Sequence, residues 1–392
     1  MKNNYRKLGD YIQPVDVRNS DLKVSHLLGV SVEKRFIESI ANTIGTDFSK
    51  YKIVRRGQFT YIPDTSRRGD KIGIALLTDF DEGLVSNIYT VFEITDTTKL
   101  LPEYLMLWFS RPEFDRYARY KSHGSVREIF DWDEMCRIEL PVPDLKEQEK
   151  IVNTYNAITK RIQLRQKINE NLEKTAQCLF DKYFKEYNKF YGKEKLKALP
   201  TGWKYSIIGD FCKNNIKSIS SNDNLNEILY LDTGSITNNK IDELQVIQEK
   251  EGFPSRAKRI VYDNDIVFST VRPNLQHYGI IRKPAKNMIV STGFSVLHNN
   301  SEKVSNEFLY MWITNDATLS FLQSIAENSV STYPSINSDD LMNIKIIIPS
   351  DNILSELNEG FRKIFLMIDY NNQEITKLQN LKQLVISQIS TR

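Results

Sequence analysis

The sequence predicts an α+β protein: two similar mixed α/β domains in tandem repeat, separated by two long helices that form an antiparallel coiled coil, pseudo-twofold overall. Three observations carry this. Two stretches hold an apolar heptad for about 38 residues, far beyond the usual helix of about 11 or 12. The remaining segments repeat at an interval of about 200 to 206 residues. Within each repeat, short β-branched and aromatic runs precede a helical pattern.

The later helix, 349–392, steps by three and four through Leu354, Leu357, Phe361, Ile364, Ile368, Asn371, Ile375, Leu378, Lys382, Val385 and Ile389, with no glycine or proline after Gly360. One helix alone cannot bury such a stripe. Its partner is 144–184, where Ile151, Tyr155, Ile158, Ile162, Arg165, Asn169, Leu172, Ala176, Leu179 and Tyr183 step the same way. Each helix follows a proline that closes an apolar run, Pro143 or Pro349. Asp144 with Glu147 reads as a capping box and Ser350 as a plain N-cap. The polar residues near mid-seam, Arg165, Asn169 and Asn371, are read as fixing register.

The repeat sets the domains: 1–143, the first long helix 144–184, a charged linker 185–202, a second domain 203–348 and the second helix 349–392. Leu8-Gly9-Asp10 answers Ile208-Gly209-Asp210, the strand-like run from Ile53 answers that from Ile260, and Leu84-Val85-Ser86 answers Ile289-Val290-Ser291. Pro102–Trp108 answers Asn306–Trp312, and each opens one helix, expected over 102–122 and 306–325. An antiparallel pair of helices would put the two domains at opposite ends.

Composition narrows the function. The chain is 40% apolar and 26% charged, as expected of a soluble globular protein, and a net charge of +3 is too small by itself to announce nucleic acid. Met1–Lys7 is charged with no apolar core behind it, and no run of about 18 apolar residues exists, so a cytoplasmic protein is expected. Cys136, Cys178 and Cys212 are scattered and read as incidental thiols. The four histidines lack metal-ligand spacing, and no nucleotide-loop, nucleophile-elbow or metalloprotease motif occurs. No catalytic residue and no metal site are therefore assigned.

Local charge is more informative. Residues 50–71 hold seven basic residues against two acidic ones, a net of +5, and residues 256–286 repeat that balance. A single such run is most often a solvated face; its recurrence at the same place in both halves points to phosphate. The candidate DNA-binding residues of the first run are Arg55, Arg56, Arg67, Arg68 and Lys71, interleaved with Gln58 and Tyr61. Those of the second are Arg256, Lys258, Arg272 and Arg282, interleaved with Asn274, Gln276, His277 and Tyr278. Lysine and arginine would hold phosphates, while arginine, asparagine and glutamine could read base edges. A second candidate segment follows the domain helix: Ser125 and Arg127 near Lys121, Ser122 and His123, matched by Ser329, Ser331 and Tyr333 near Asn328 and Thr332. A hydrogen-bonded turn would look the same. A helix of about 38 residues spans roughly 57 Å, or roughly 17 base pairs, so the pair would serve as a ruler between two readers.

At this point the chain resembles a known family, the specificity subunits of Type I restriction-modification systems, over nearly its whole length. The resemblance rests on the two-unit layout, on Ile138-Glu139-Leu140-Pro141-Val142-Pro143 with Lys146-Glu147-Gln148-Glu149 leading into the first long helix, on Leu199-Pro200-Thr201-Gly202-Trp203 opening the second domain, and on Asp265–Ser269. It implies that the domains are target recognition domains, each reading half of an asymmetric, bipartite double-stranded DNA site. It implies that the coiled coil sets the gap and docks two modification (methyltransferase) subunits. Those subunits would methylate adenine at N6 with S-adenosylmethionine, and restriction subunits would translocate and cleave DNA with ATP and Mg. The chain itself would be a non-catalytic subunit with no cofactor, acting in host defence. Base contacts in that family vary with the target, so the site residues above rest on charge and position. The first domain lacks the Pro-x-Gly-Trp opening, and the second helix starts Ser350-Asp351-Asn352-Ile353 rather than Glu-Gln-rich. Two other readings stay open: a coiled-coil scaffold for protein partners without DNA recognition, and a self-contained methyltransferase or nuclease, against which the missing glycine-rich cofactor loop argues.

Overall fold

A computed structural model describes residues 5–39, 45–66, 71–124, 127–187, 198–220, 223, 225–329 and 333–389. The chain divides into two compact units, Met1–Leu164 with Ile375–Arg392, and Arg165–Glu374. Each takes one mixed domain together with a length of each long helix.

The first unit contains β1 (Tyr5–Lys7), β2 (Ile12–Val15), β3 (Leu28–Val30), β4 (Phe36–Glu38), β5 (Lys52–Arg55), β6 (Phe59–Tyr61), β7 (Ile74–Leu76), β8 (Glu82–Val85) and β9 (Thr90–Ile94). Helices α1 (Pro102–Phe109), α2 (Pro112–Lys121) and α3 (Trp132–Arg137), strand β10 (Glu139–Pro141) and the long α4 (Leu145–Phe184) follow. Its main sheet is antiparallel, in the order β2-β9-β6-β7. Strand β6 is buried on both faces, so its three residues Phe59, Thr60 and Tyr61 are all covered. Phe59 stacks on Phe92 at 4.9 Å, and Phe109, Phe114 and Phe130 close the core behind them. Strand β1 pairs antiparallel with β10, so the domain begins and ends on one ribbon.

The second unit repeats this plan with β11 (Lys204–Ile207), β12 (Cys212–Asn214), β13 (Glu227–Leu231), β14 (Ile236–Thr237), β15 (Lys240–Ile241), β16 (Gln245–Gln248), β17 (Ala257–Ile260), β18 (Ile266–Ser269), β19 (Tyr278–Ile280), β20 (Met288–Ser291) and β21 (Phe294–Asn299). Then come α5 (Asn306–Thr314), α6 (Asp316–Glu327), α7 (Ser338–Met342), β22 (Lys345–Ile348) and α8 (Asp351–Gln388). The sheet order β12-β21-β18-β19 matches that of the first unit strand for strand, and β11 closes on β22 as β1 closes on β10. The β14–β15 hairpin is an addition, with no counterpart among the described residues of the first unit.

One expectation is corrected. Each domain holds two helices where one was expected, over 102–122 and 306–325. Pro112, at the first position of α2, has no N–H with which to continue α1. In the second unit Asn315 takes an extended conformation and its side chain accepts from Thr318 N, starting a new helix.

The long helices bury more than a heptad seam. In the first unit Ile158, Ile162 and Ile375 pack together, with Leu378 and Val385 against them, while Lys382 lies 4.6 Å from the ring centre of Tyr155. In the second unit Leu357 and Phe361 are fully buried with Ala176, Phe180 and Phe184, and Leu179 and Ile364 pack on that cluster. Residue numbers rise along one helix as they fall along the other in both units, so the pairing is antiparallel within each. Ile368 is buried, and Ile151 and Leu172 are half-buried. Phe180, Phe365 and Ile386 lie off the seam yet are buried. At the domain ends each helix thus presents a globular face of about three residues in seven rather than a two-in-seven stripe.

The polar seam residues meet each other. Asn371 Nδ2 donates to Asn169 Oδ1 at 2.7 Å, Arg165 Nη1 donates to Asn371 Oδ1 at 3.0 Å, and Arg165 Nη2 pairs with Glu374 at 2.7 Å. Asp144 caps α4 by accepting from Glu147 N at 2.9 Å. A further anchor was not foreseen. The buried Gln148 amide donates to Lys99 O and Pro143 O and accepts from Leu101 N, tying α4 to the residue that starts α1. Asn358 does the same for the second unit, donating to Lys303 O and accepting from Ser305 N at the start of α5.

Candidate nucleic-acid interface

In both units the fold brings together the two segments singled out in the sequence. The loop after β6 lies against the loop after α2: Phe130 N donates to Pro63 O, and Thr65 N donates to Glu128 O. The loop after β18 lies against the loop after α6 in the same register: Ile336 N donates to Thr270 O, and Arg272 N donates to Pro334 O. Arg272 therefore stands where the first unit has Thr65.

The candidate residues sort by what already holds them. Tyr61 and Tyr278 are core residues, 0% and 3% exposed, and burial raises both phenols. They are withdrawn as DNA contacts, because strands covered on both faces leave no outward position. Gln58 is withdrawn as well: it is buried, accepting from Arg55 N and donating to Glu93. Asp265 fills the same place in the second unit, accepting from Tyr262 N and pairing with His298 at 2.7 Å. His277 Nδ1 faces the carbonyl of Ile236 at 2.7 Å, so that nitrogen carries the proton and the ring serves the hairpin.

Several cations lie away from these loops. Arg282 follows β19, at the other end of the β18–β19 hairpin from residues 270–277, and is tied to Glu307, which is 6% exposed on its side chain, and to Asn264. A buried partner of opposite charge makes it structural. Arg56 bonds to Asp81 and Thr78 O, and Arg55 lies 3.9 Å from Glu82, both at the corresponding end of β6. Lys71 is exposed beside Glu33 at 3.7 Å, a weak surface pair. It lines a groove of about 1120 Å³ with Lys34, Arg116, Arg119, Tyr120 and Lys382. Arg127 is exposed beside the first-unit loops. Arg67, Arg68, Ser125 and Ser331 lie outside the described residues.

The second-unit loop is the better defined. Arg272, Asn274 and Gln276 are exposed, as are Leu275 at 45% and Tyr333 at 61%. The Arg272 guanidinium lies 5.6 Å from the Tyr333 ring centre. Among the described residues, no hydrogen bond or ion pair claims the side chains of Arg272, Asn274 or Gln276. Arg256 and Lys258 are exposed on β17 and just before it; Thr292 N donates to Arg256 O, and Thr270 N donates to Gly293 O, so Arg256 flanks the loop. Ser329 is half-buried, and its Oγ accepts from Ser335 N at 3.4 Å.

Arg272 and Gln276 both have positive φ, 49° and 57°. For residues other than glycine each such conformation costs on the order of 1–3 kcal/mol and persists only where the surroundings impose it. Here they do. Leu275 N donates to Arg272 O, Gln276 N to Pro273 O and Asn274 N to Gln323 Oε1. The unforeseen β14–β15 hairpin adds a brace, with Asn238 N donating to Gln276 O. Its turn residues Asn238 and Asn239 both have positive φ, so the Asn-Asn pair was the signal available in the sequence.

Comparison with known proteins agrees on one family. The profile described as Type I restriction modification DNA specificity domain matches twice, over residues 2–174 and 200–380. The chain is 26% identical over 181 residues to the Type I restriction enzyme HindI specificity subunit of Haemophilus influenzae, a match covering 46% of this chain and 39% of that protein. It is 25% identical over 306 residues to the MjaIX specificity subunit of Methanocaldococcus jannaschii, covering 74% of this chain and 68% of that one. Among solved structures, the Type I restriction-modification S subunit from M. genitalium has the same fold, with a TM-score of 0.57 at 14% identity over 98% of this chain and 95% of that one. Among the described residues, no helix is long and apolar enough to cross a membrane.

Proposed function

Because the chain belongs to the family of Type I restriction-modification specificity subunits, we propose that it reads a bipartite DNA sequence, one half with each domain, and hands that address to subunits that act on the DNA. The observation that carries the proposal is the recurrence, in both domains and in the same register, of a polar loop joined to the loop behind the second domain helix. Sequence-specific reading needs donors and acceptors on a frame that does not move, and phosphate contacts nearby to set the register. Arg127 supplies such a group beside the first-domain loops, and Arg256, Arg272, Asn274 and Gln276 supply them in the second.

The long helices serve as spacer and as docking surface. In the first unit they expose Leu164, Leu381 and Leu384, and in the second Ile168, Leu366, Met367 and Tyr370, each at least 41% exposed. Apolar side chains at this density suit protein partners. Modification subunits that methylate adenine at N6 are the partners proposed, with S-adenosylmethionine, ATP and Mg held by partner subunits rather than by this chain, which contributes no catalytic group.

The test is to co-express the chain with its neighbouring modification subunit in a host free of other methylation and to map N6-methyladenine across the genome. A bipartite motif with a constant unread gap is expected. A soluble complex that deposits no methylation and whose DNA affinity changes little between about 50 and 200 mM salt would favour the scaffold reading; about 6–10 phosphate contacts would instead cost roughly 10³–10⁵ in affinity.

A further inference from the structure

We propose that the loop 271–277 is the base-reading element of the second domain, and that Arg272, braced on Tyr333, takes a guanine in the major groove. The inference rests on the function proposed above and assigns that function to atoms.

Three observations lead to it. First, the backbone of this loop is committed while its side chains are not. The backbone amides of Arg272, Asn274, Leu275, Gln276 and His277's neighbour Tyr278 all donate within the domain. The side chains of Arg272, Asn274 and Gln276 are exposed, and no hydrogen bond or ion pair among the described residues holds them. Arg282, a cation of the same run, is by contrast engaged by Glu307.

Second, the two positive-φ positions would suit glycine, yet they hold arginine and glutamine. Arg272 also precedes a proline, which disfavours the helical regions further. Strain of this kind, held by surrounding hydrogen bonds, is a feature that ligand clamps share.

Third, the chemistry is that of a base edge rather than a phosphate. The guanidinium lies 5.6 Å from the centre of the Tyr333 ring, within cation–π range, which narrows the orientations open to it while its N–H groups stay free of hydrogen-bond partners among the described residues. A planar fork matches the N7 and O6 acceptors of guanine, whereas a phosphate needs only a charge. The amides of Asn274 and Gln276 each offer a donor beside an acceptor, the pattern that adenine requires, and the exposed Leu275 supplies an apolar contact of the kind a thymine methyl accepts.

The experiment uses the full chain in complex with its modification subunit. Duplexes carrying each of the four base pairs at every position of the mapped site compete for wild type, Arg272→Gly, Arg272→Lys and Tyr333→Phe. Wild type should prefer guanine at one position of one half-site by roughly 5- to 150-fold, and Arg272→Gly should reduce that to within about threefold. The other half-site and the gap should not change. Arg272→Lys should keep affinity and lose the preference, and Tyr333→Phe, which keeps the ring, should keep both. Since glycine accepts a φ of 49° without strain, the thermal midpoint of Arg272→Gly should not fall below wild type, so a lost preference is not lost folding. An unchanged base preference in Arg272→Gly overturns the inference alone. Full preference in Arg272→Lys reduces Arg272 to a phosphate contact and also overturns it. A wild-type complex with no sequence preference overturns the proposed function, and this inference with it.

Discussion

Gln148 is a sharp place to test how a domain is fixed to its long helix. The side chain is 0% exposed and makes three hydrogen bonds: 2.9 Å from Leu101 N, and 2.8 Å to each of Lys99 O and Pro143 O. Gln148→Leu keeps much of the volume and removes all three. Each buried polar group left without a partner costs about 1–3 kcal/mol. The two carbonyls belong to loop residues and regain some water, so about 1 kcal/mol each is appropriate, with somewhat more for the amide of Leu101. The expected loss is about 3–4 kcal/mol, a large share of the roughly 5–15 kcal/mol that holds a domain. Urea unfolding followed by tryptophan fluorescence reads it, with Trp108 and Trp132 reporting from the first unit and Trp203 and Trp312 from the second. A loss below about 1 kcal/mol would mean that water replaces the amide and the clamp idea is wrong. Gln148→Glu sharpens the test. Its carboxylate still accepts from Leu101 N but faces two carbonyl oxygens, so its folded-state pKa rises. Its stability deficit should be greatest near neutrality and lessen as pH falls, because the folded state then binds the proton more tightly than the unfolded chain.

Three further outcomes are expected. Asn371→Leu should destabilise by about 1–3 kcal/mol in thermal or urea unfolding, because it leaves Asn169 Oδ1 without its donor and Arg165 Nη1 without its acceptor, while Asn169 Nδ2 keeps Asn372; a loss below about 0.5 kcal/mol would show that the polar seam contributes register rather than stability. Asp265→Asn should stabilise at neutral pH. Burial, helped by Asp263, raises the Asp265 carboxyl against the pull of Tyr262 N–H and His298. Its contribution is therefore present below the ordinary carboxylate pKa and lost as pH rises through the folded-state value, so the advantage of the variant should grow from roughly pH 3 to pH 7; a flat difference would refute this. Finally, a thiol reagent at about pH 8 should label exposed Cys178 first and reach Cys212, buried and pushed up to about 12, only on unfolding; fast labelling that survives Cys178→Ala would contradict the burial order.

Much of the architecture was legible because it is local or periodic. The heptads announced two long helices, the family resemblance implied their antiparallel pairing, and Asp144 announced its cap. The tandem repeat predicted equivalent strands, and the two sheets have the same order. What was not legible depends on distant residues. Gln148 and Asn358 occupy helix positions that read as ordinary polar surface; their role exists only because loops some 47 to 55 residues away end on them. The extra width of the helix faces at Phe180, Phe365 and Ile386 comes from packing beyond the seam. At the candidate interface, charge counting could not separate Arg272, whose side chain no hydrogen bond or ion pair claims among the described residues, from Arg282, which is spent on Glu307. It also took Tyr61 and Tyr278 as contacts, because residues in doubly covered strands lose the alternation that tells inside from outside.

Each domain begins and ends on a two-stranded ribbon, Tyr5 opposite Pro141 in one and Lys204 opposite Ile348 in the other. Everything between is, topologically, a closed loop whose ends are already sealed together. Additions inside that loop need not alter the geometry at which the chain passes into its long helix. The second domain is an instance: it carries the β14–β15 hairpin and keeps its sheet order. The hairpin is thus accommodated between the sealed ends, and β11 still closes on β22 as β1 closes on β10.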